Sequence, residues 1–358
     1  MSFETYYPEQ RQMLNAAVIR RPRLLPDDTY EAQVEVGVGA RVGLKDVIAR
    51  GYAPAPYTLV DAGRFFGLKQ ASELDPLLAV QPGDFVERMQ VLAQKGRRRL
   101  QAPVTGRVVL IDGANILLQE ESSSVELEAG VNGQVIETRP ERGVVIETMG
   151  ALFQGVWGNG KRAISTLRFA PEAGLETLQT DELDFDYRGA IIITKQPLTL
   201  KSLMVMAEQS FAGVIAPSLE TTLIPDAMRA PGAILLTEGI GSMRMSLLVA
   251  QFLEGMEGRQ ATLDALWEEG GSTRPELIVN VPLTDIRPSP PLLNLSLQLG
   301  MMVRVARADG VSIFGKVISV PRNPVMLENG LKLQCAQIET VSGERIFAPL
   351  SNIEIPGR

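Results

Sequence analysis

Two short patterns recur in the first half of this chain, and they constrain its fold more than any other feature. Val36-Gly-Val-Gly39-Ala-Arg-Val42, followed by Asp46-Val47-Ile48-Ala49, lies over Val80-Gln-Pro-Gly83-Asp-Phe-Val86, followed by Gln90-Val91-Leu92-Ala93, at an offset of 44 residues. Each copy reads as strand, glycine turn and short strand: the turn needs the backbone freedom of glycine, and the alternating apolar positions face a core. The second pattern is a Val-x-Gly-x-Val hairpin edge. It occurs as Ala102-Pro103-Val104-Thr-Gly106-Arg-Val108 and again as Ala129-Gly-Val131-Asn-Gly133-Gln-Val135, with a further strand over 142–147. Residues 30–147 are therefore expected to be short β segments closed by Gly and Pro turns, for which a small barrel or sandwich is the natural solution.

Beyond this stretch the pattern changes twice. Gly150–Lys161 is glycine-rich, with Trp157 as a packing anchor, and is expected to turn tightly against the first module. Asp181–Arg188 is an acidic connector; it lacks the glycine and terminal glutamate of a calcium loop. From Gly189 onward, strands at Gly189–Thr194, Ala212–Pro217 and Gly232–Thr237 alternate with helices at Leu198–Gln209, Glu220–Arg229 and Met243–Gly255. The first helix is expected to bury Leu200, Leu203, Met204 and Ala207. Three such units with near-continuous apolar strands predict a parallel sheet covered on both faces, with Leu277–Val281 as an edge strand. Four prolines within Pro282–Pro291 mark a linker, and five short strands follow it.

A chain of 358 residues is long for one core. The fold class is accordingly mixed and multi-domain. An N-terminal extension (1–29) precedes a β-rich module with a glycine-rich tail (30–175) and a central three-layer α/β module (188–281). The linker (282–291) leads to a C-terminal β-barrel (292–358).

Two local resemblances refine this. Pro82-Gly83-Asp84-Phe-Val86, Val91-Leu92-Ala93 and Ala102-Pro103-Val104-Thr-Gly106-Arg-Val108 resemble the barrel-sandwich hybrid fold of biotinyl and lipoyl carrier domains. They are closer to relatives in which that fold is purely structural, such as the C subunit of membrane ferredoxin–NAD oxidoreductases. The carriers modify a lysine at a hairpin tip; the connection Ala93-Gln-Lys95-Gly-Arg here is shortened and lacks the Met-Lys or Asp-Lys-Ala context, so Lys95 is a poor attachment point. At the other end, Val303, Val305, Gly315 and Val317 resemble a KOW-type SH3-like barrel. That resemblance implies RNA, ribosomal or polymerase partners. Against it, the segment lacks clustered Arg and Lys, and its aromatics, Phe314 and Phe347, are expected to fill the small core.

Composition narrows the chemistry. The chain has no histidine and one cysteine, Cys335. Histidine acid–base work, Ser-His and Cys-His nucleophiles, imidazole metal ligation and thiolate zinc or iron–sulfur sites are thereby excluded from this chain alone. No metal or cofactor is expected. A net charge of −7 repels phosphate backbones overall. The lack of a signal sequence, of an apolar span and of any cysteine pair points to the cytoplasm.

Ligands of open α/β sheets bind outside the carboxyl ends of the strands. Those ends supply Thr194, Lys195, Ser218, Glu238, Gly239, Gly241 and Ser242 as candidate ligand-binding residues. The Gly239-Ile-Gly241-Ser242 turn has the form of an anion site, with Ser242 placed to cap the next helix or touch a phosphate. A third glycine is absent, since Arg244 stands there, and a tight turn with an N-cap is the plainer reading. Lys195 and Glu238 are expected to meet across adjacent strand ends, as a solvated ion pair or a catalytic one. Lys95, Arg97, Arg98 and Arg99 form the one basic cluster, either a charged hairpin tip or a clamp for an acidic partner.

Three functional readings follow. The first is a non-catalytic interaction scaffold with protein partners. The second is a binder of small anions or phosphates, or an enzyme, using the α/β module. The third is an RNA- or ribosome-associated factor working through 292–358. Covalent carriage at Lys95 ranks last.

Overall fold

The computed structural model describes residues 6, 9–11, 13–178, 186–266, 274–280, 295–306 and 313–356. The acidic segment 181–185, Trp267 and the proline-rich stretch 282–291 lie outside the described residues. The structure is rich in strands and holds several sheets. Among the described residues no helix is long and apolar enough to cross a membrane.

The chain opens with β1 (Glu9–Arg11) and β2 (Met13–Leu24), then β3 (Tyr30–Val34), β4 (Arg41–Val42) and β5 (Val47–Tyr52). A second set of elements interrupts here: β6 (Tyr57–Asp61), α1 (Ala62–Phe66), β7 (Phe85–Val86), β8 (Val91–Lys95), β9 (Arg98–Gln101), β10 (Gly106–Asp112) and β11 (Asn115–Glu120). The first set then resumes with β12 (Ser124–Glu128), β13 (Gly133–Arg139) and β14 (Gly143–Gln154). Strand β12 pairs with β5, not with its neighbours in sequence, and β13 pairs with β4. The result is two β units, one nested inside the other. The stretch expected as one β module holds two cores. The inner is built on Val86, Leu92, Val108, Ile116 and Leu118, the outer on Val42, Ile48, Val135, Val144 and Ile146. Within the stretch expected as an N-terminal extension (1–29), Met13–Leu24 is built into the fold as β2, which pairs with β14 along most of its length.

The two units match pair for pair. Val47 opposes Glu128 in the outer hairpin, as Val91 opposes Gln101 in the inner one. Arg41 opposes Gln134 as Phe85 opposes Arg107. The Gly39 N–H donates to Val135 O at 2.8 Å, and the Gly83 N–H to Val108 O at 2.7 Å. Gly39 and Gly83 have φ of +89° and +99°, so each turn needs glycine for its conformation. Gly106 and Gly133 are required for another reason. A Cβ would sit 2.2 Å from Gln119 O at the first and 2.3 Å from Glu147 O at the second. In the inner unit, β8 and β9 meet in a tight turn at Lys95–Arg98. In the outer unit the equivalent strands β5 and β12 diverge at Tyr52 and Ser124, and the whole inner unit fills the gap.

After β15 (Trp157–Gly158) come β16 (Arg162–Phe169), β17 (Ile191–Ile193), α2 (Leu200–Glu208), β18 (Gly213–Leu219), α3 (Ile224–Arg229), β19 (Ala233–Ile240), α4 (Leu247–Glu254), β20 (Gln260–Asp264) and β21 (Glu276–Asn280). Strands β16, β17, β18 and β19 are parallel neighbours in that order. All seven residues of β18 are buried, as both-face coverage requires. Helices α2 and α3 cover one face through Leu203, Val205, Met206 and Ala227, and α4 covers the other through Val249 and Leu253. Thr199 starts α2: its hydroxyl accepts the Ser202 N–H and the Ser202 hydroxyl accepts the Thr199 N–H, both at 3.1 Å.

Four expectations need correction. Leu200, Met204 and Ala207 of α2 are exposed, because the helix buries its 202/203/205/206 side. Strand β21 is not an edge: it lies antiparallel between β20 and β14, so the α/β sheet continues into the outer unit. The segment around Gly150 is no tight turn, since β14 runs extended through it to Gln154, though Trp157 does pack in the core over α2. Finally, α4 begins at Leu247, after an irregular approach over 243–245 and an extended N-cap, Ser246.

The last unit comprises β22 (Met302–Val305), β23 (Ile313–Ser319), β24 (Val325–Met326), β25 (Lys332–Leu333), β26 (Cys335–Thr340), β27 (Arg345–Pro349) and β28 (Ile353–Pro356). Strand β1 joins it, parallel to β28. Among the described residues its main sheet runs as an open path from β1 to β27, without a pairing that closes it. The core is aliphatic, made by Val303, Val305, Val317, Ile338, Ile353 and Ile355. Phe347 is exposed and Phe314 half-buried, so neither is the expected core residue.

Candidate functional site

The carboxyl ends of β18 and β19 are covered by the chain itself. Ser218, at the end of β18, is fully buried; its Oγ accepts the Met243 N–H at 2.8 Å and donates to Met243 O at 2.9 Å. This staple holds the loop after β19 over the strand ends, helped by the Gly241 N–H on Leu219 O at 2.8 Å. Gly239 and Gly241 have φ of +137° and +136°, so the loop uses both glycines as turn hinges. Ser242 is exposed and four residues short of the helix N-cap, Ser246, so it does not cap α4.

The electrostatics oppose an anion here. The Glu238 carboxylate accepts the Ser246 N–H at 3.1 Å, taking the place a phosphate would need. Its other oxygen accepts from Arg304 of β22, whose guanidinium also reaches Glu354 of β28 at 2.8 Å. The Arg304 and Glu238 side chains are 9% and 2% exposed, so this triad is a buried joint between the α/β and C-terminal units. Removing one partner of such a pair leaves an uncompensated buried charge, which costs about 3–5 kcal/mol.

Lys195 and Glu238 do not meet. Strand β18 lies between their strands, and each has another partner. Lys195 Nζ is 2.6 Å from Glu254 Oε1 and 5.6 Å from the Phe169 ring centroid. It borders a cleft of about 280 Å³ at the ends of β16 and β17, with Phe169, Glu172, Glu254 and Glu257 among the lining residues. Three carboxylates against one ammonium make this cleft unsuited to phosphates. The buried Thr194 hydroxyl accepts the Gln196 N–H at 3.2 Å. Nearby, the half-buried Glu176 carboxylate accepts the Thr199 and Ser202 hydroxyls at 2.6 and 2.8 Å. Burial pulls its pKa up, but these bonds, its own backbone N–H and Lys201 hold it below the usual carboxylate value.

A second buried ionic joint ties the outer β unit to the α/β sheet. Asp264 of β20 receives Arg23 at 3.1 Å and Arg162 at 2.8 Å, while Arg21 forks onto Glu276 at 2.7 Å. Burial first, and Arg162 second, push the pKa of Arg23 down against the pull of Asp264. Among the described residues no group of three His, Cys, Asp or Glu side chains could hold a metal ion.

The basic cluster lies at the turn between β8 and β9, and Lys95, Arg97, Arg98 and Arg99 are all exposed. Arg98 is anchored: it donates to Phe65 O and stacks 5.1 Å from the Phe65 ring centroid. Sequence reasoning missed an apolar face on the same unit. The sheet β6–β11–β10–β7 turns Tyr57, Leu59, Phe85 and Leu110 outward, between 49% and 64% exposed. The signal was present in the repeat: Phe85 falls on Arg41, and Leu110 on Glu137. Compared with protein-family models and with curated proteins, the chain matches none.

Proposed function

We propose that this chain is a non-catalytic scaffold whose serial units hold protein partners. The observation that carries this reading is the state of the strand ends, where an α/β sheet takes its ligand: those of β18 and β19 are closed by the Ser218–Met243 staple and the Glu238–Arg304–Glu354 joint, and the cleft at β16 and β17 is lined by three carboxylates. The paired registers of the nested β units support the barrel-sandwich resemblance in its purely structural form. The antiparallel ladder of the last unit supports the SH3-like one. A cytoplasmic setting suits a lone thiol, Cys335, whose burial pushes its pKa up.

A thermal-shift screen with nucleotides and phosphorylated metabolites tests the reading. No shift is expected. A ligand present at 100 times its dissociation constant would add about 2.7 kcal/mol; such a gain, abolished by Lys195→Ala, would establish a small-molecule site and overturn the proposal.

A further inference from the structure

The sister units allow each surface position of one to be compared with its counterpart in the other. Along one outward row the inner unit places Phe85, Arg107, Gln119 and Tyr57, paired side by side. The outer unit has Arg41, Gln134, Glu147 and Arg20 in the same register, with Arg20 and Glu147 in an ion pair at 2.8 Å. In the next row, Leu110, Leu117 and Leu59 stand side by side; their outer counterparts are Glu137, Val145 and Pro22, so in this row the change to a charge falls at the Leu110 position. Both units close around their own interiors, so folding does not call for this apolar face. Exposed apolar side chains that persist where an equivalent backbone carries charges mark an interaction surface.

Three further observations define the occupant. Strand β6 is the edge of its sheet, and among the described residues its ladder bonds go only to β11, which leaves an edge for an extended segment. Helix α1 continues directly from β6 and carries Phe65 under Arg98, so the basic tip is tied to the element that follows the edge strand. Residues 54–120 contain eight Arg and Lys against seven Asp and Glu, in a chain of net charge −7. The unit is close to neutral as a whole, and its cations concentrate at the tip, where Lys95, Arg97, Arg98 and Arg99 stand with no acid among residues 91–101. The rings of this face, Tyr57 and Phe85, stand at opposite ends of their row, and the leucines beside them, Leu59, Leu110 and Leu117, offer none for base stacking, which favours a protein occupant over single-stranded nucleic acid.

We infer that the outward face of the inner unit, with its Lys95–Arg99 tip, docks an extended acidic segment of a partner protein that carries apolar side chains at alternate positions. The inference rests on the scaffold reading and specifies its docking surface.

A random-peptide display library panned against the full chain supplies the probe, and one enriched peptide is then synthesised and titrated by fluorescence polarisation. Enriched sequences should carry Asp or Glu in excess, with Leu, Ile or Phe at alternate positions. Two variants follow: Phe85→Arg/Leu110→Glu, which installs the residues of the sister unit at exposed positions, and Lys95→Glu/Arg97→Glu/Arg99→Glu at the tip. Each should weaken binding at least about tenfold with thermal unfolding unchanged. Enrichment without that bias, or affinity insensitive to both variants, overturns the surface while the metabolite screen still decides the scaffold reading. Binding of polyuridylate lost in these same variants, in place of peptide binding, overturns it in favour of nucleic acid.

Discussion

The outer and inner β units share a backbone and differ in what surrounds it. Their registers agree to the residue, including the bulges after Val108 and Val135. Their interiors agree except where the outer unit meets a neighbour. Val60 opposes Ile116 inside the inner unit, whereas the equivalent position opposite Val144 is Arg23, drawn into the joint with Asp264. Glycine positions and interior apolar residues therefore define the unit, and everything facing outward follows its local neighbour. The outer unit faces an α/β sheet and uses charge; the inner unit stands on a stem and keeps an apolar face.

Core truncation should split the pair most. Leu92 and Ile48 are equivalent and fully buried, so replacing either with Ala should cost about 2–5 kcal/mol. Calorimetry should show Leu92→Ala lowering a transition of the inner unit alone. Ile48→Ala should lower the transition that the outer unit shares with the α/β sheet, because β14 and β21 send Leu152 and Ile278 into the outer core and Phe153 and Leu277 into the core of the α/β sheet. A common transition for both variants would break the idea of two separable cores.

Next come the close-approach glycines. Gly106→Ala and Gly133→Ala each push a methyl group into a facing carbonyl, and each should lose about 2–3 kcal/mol in urea unfolding. Unequal losses would show that the shared register hides unequal tolerance. The smallest effect is expected at a side-chain bond that both units make with different chemistry. Asn132 Oδ1 accepts the Leu44 N–H at 2.9 Å, and Thr105 Oγ1 accepts the Arg88 N–H at 3.0 Å. Asn132→Ala and Thr105→Ala should each cost about 1 kcal/mol by chemical denaturation.

The order of the repeats, 36–49, 80–93, 102–109 and 129–136, excludes a tandem duplication, which would place both halves of one copy before the other. It does not say which halves belong together, and the stretch reads as one module; the pairing of β5 with β12 and of β8 with β9 decides for nesting. The apolar runs at 191–193 and 233–236 announced buried parallel strands, because only a sheet covered on both faces sustains them. What escaped reading was long-range. The Gly239-Ile-Gly241-Ser242 turn suggested a helix start, but Ser218 and Glu238 hold the following residues out of the helix through tertiary bonds. The partner of Glu238, Arg304, is 66 residues away with no local pattern to mark it.

The inner unit hangs from the β5–β12 stem, braced by β3 and by the Tyr30–Tyr52 ring contact at 5.9 Å. Tension applied to whatever grips that unit pulls both stem strands the same way, so their mutual ladder carries no shear. The load passes sideways into β3 and the interior around Ile48, which makes the stem a stiff strut and not a tether.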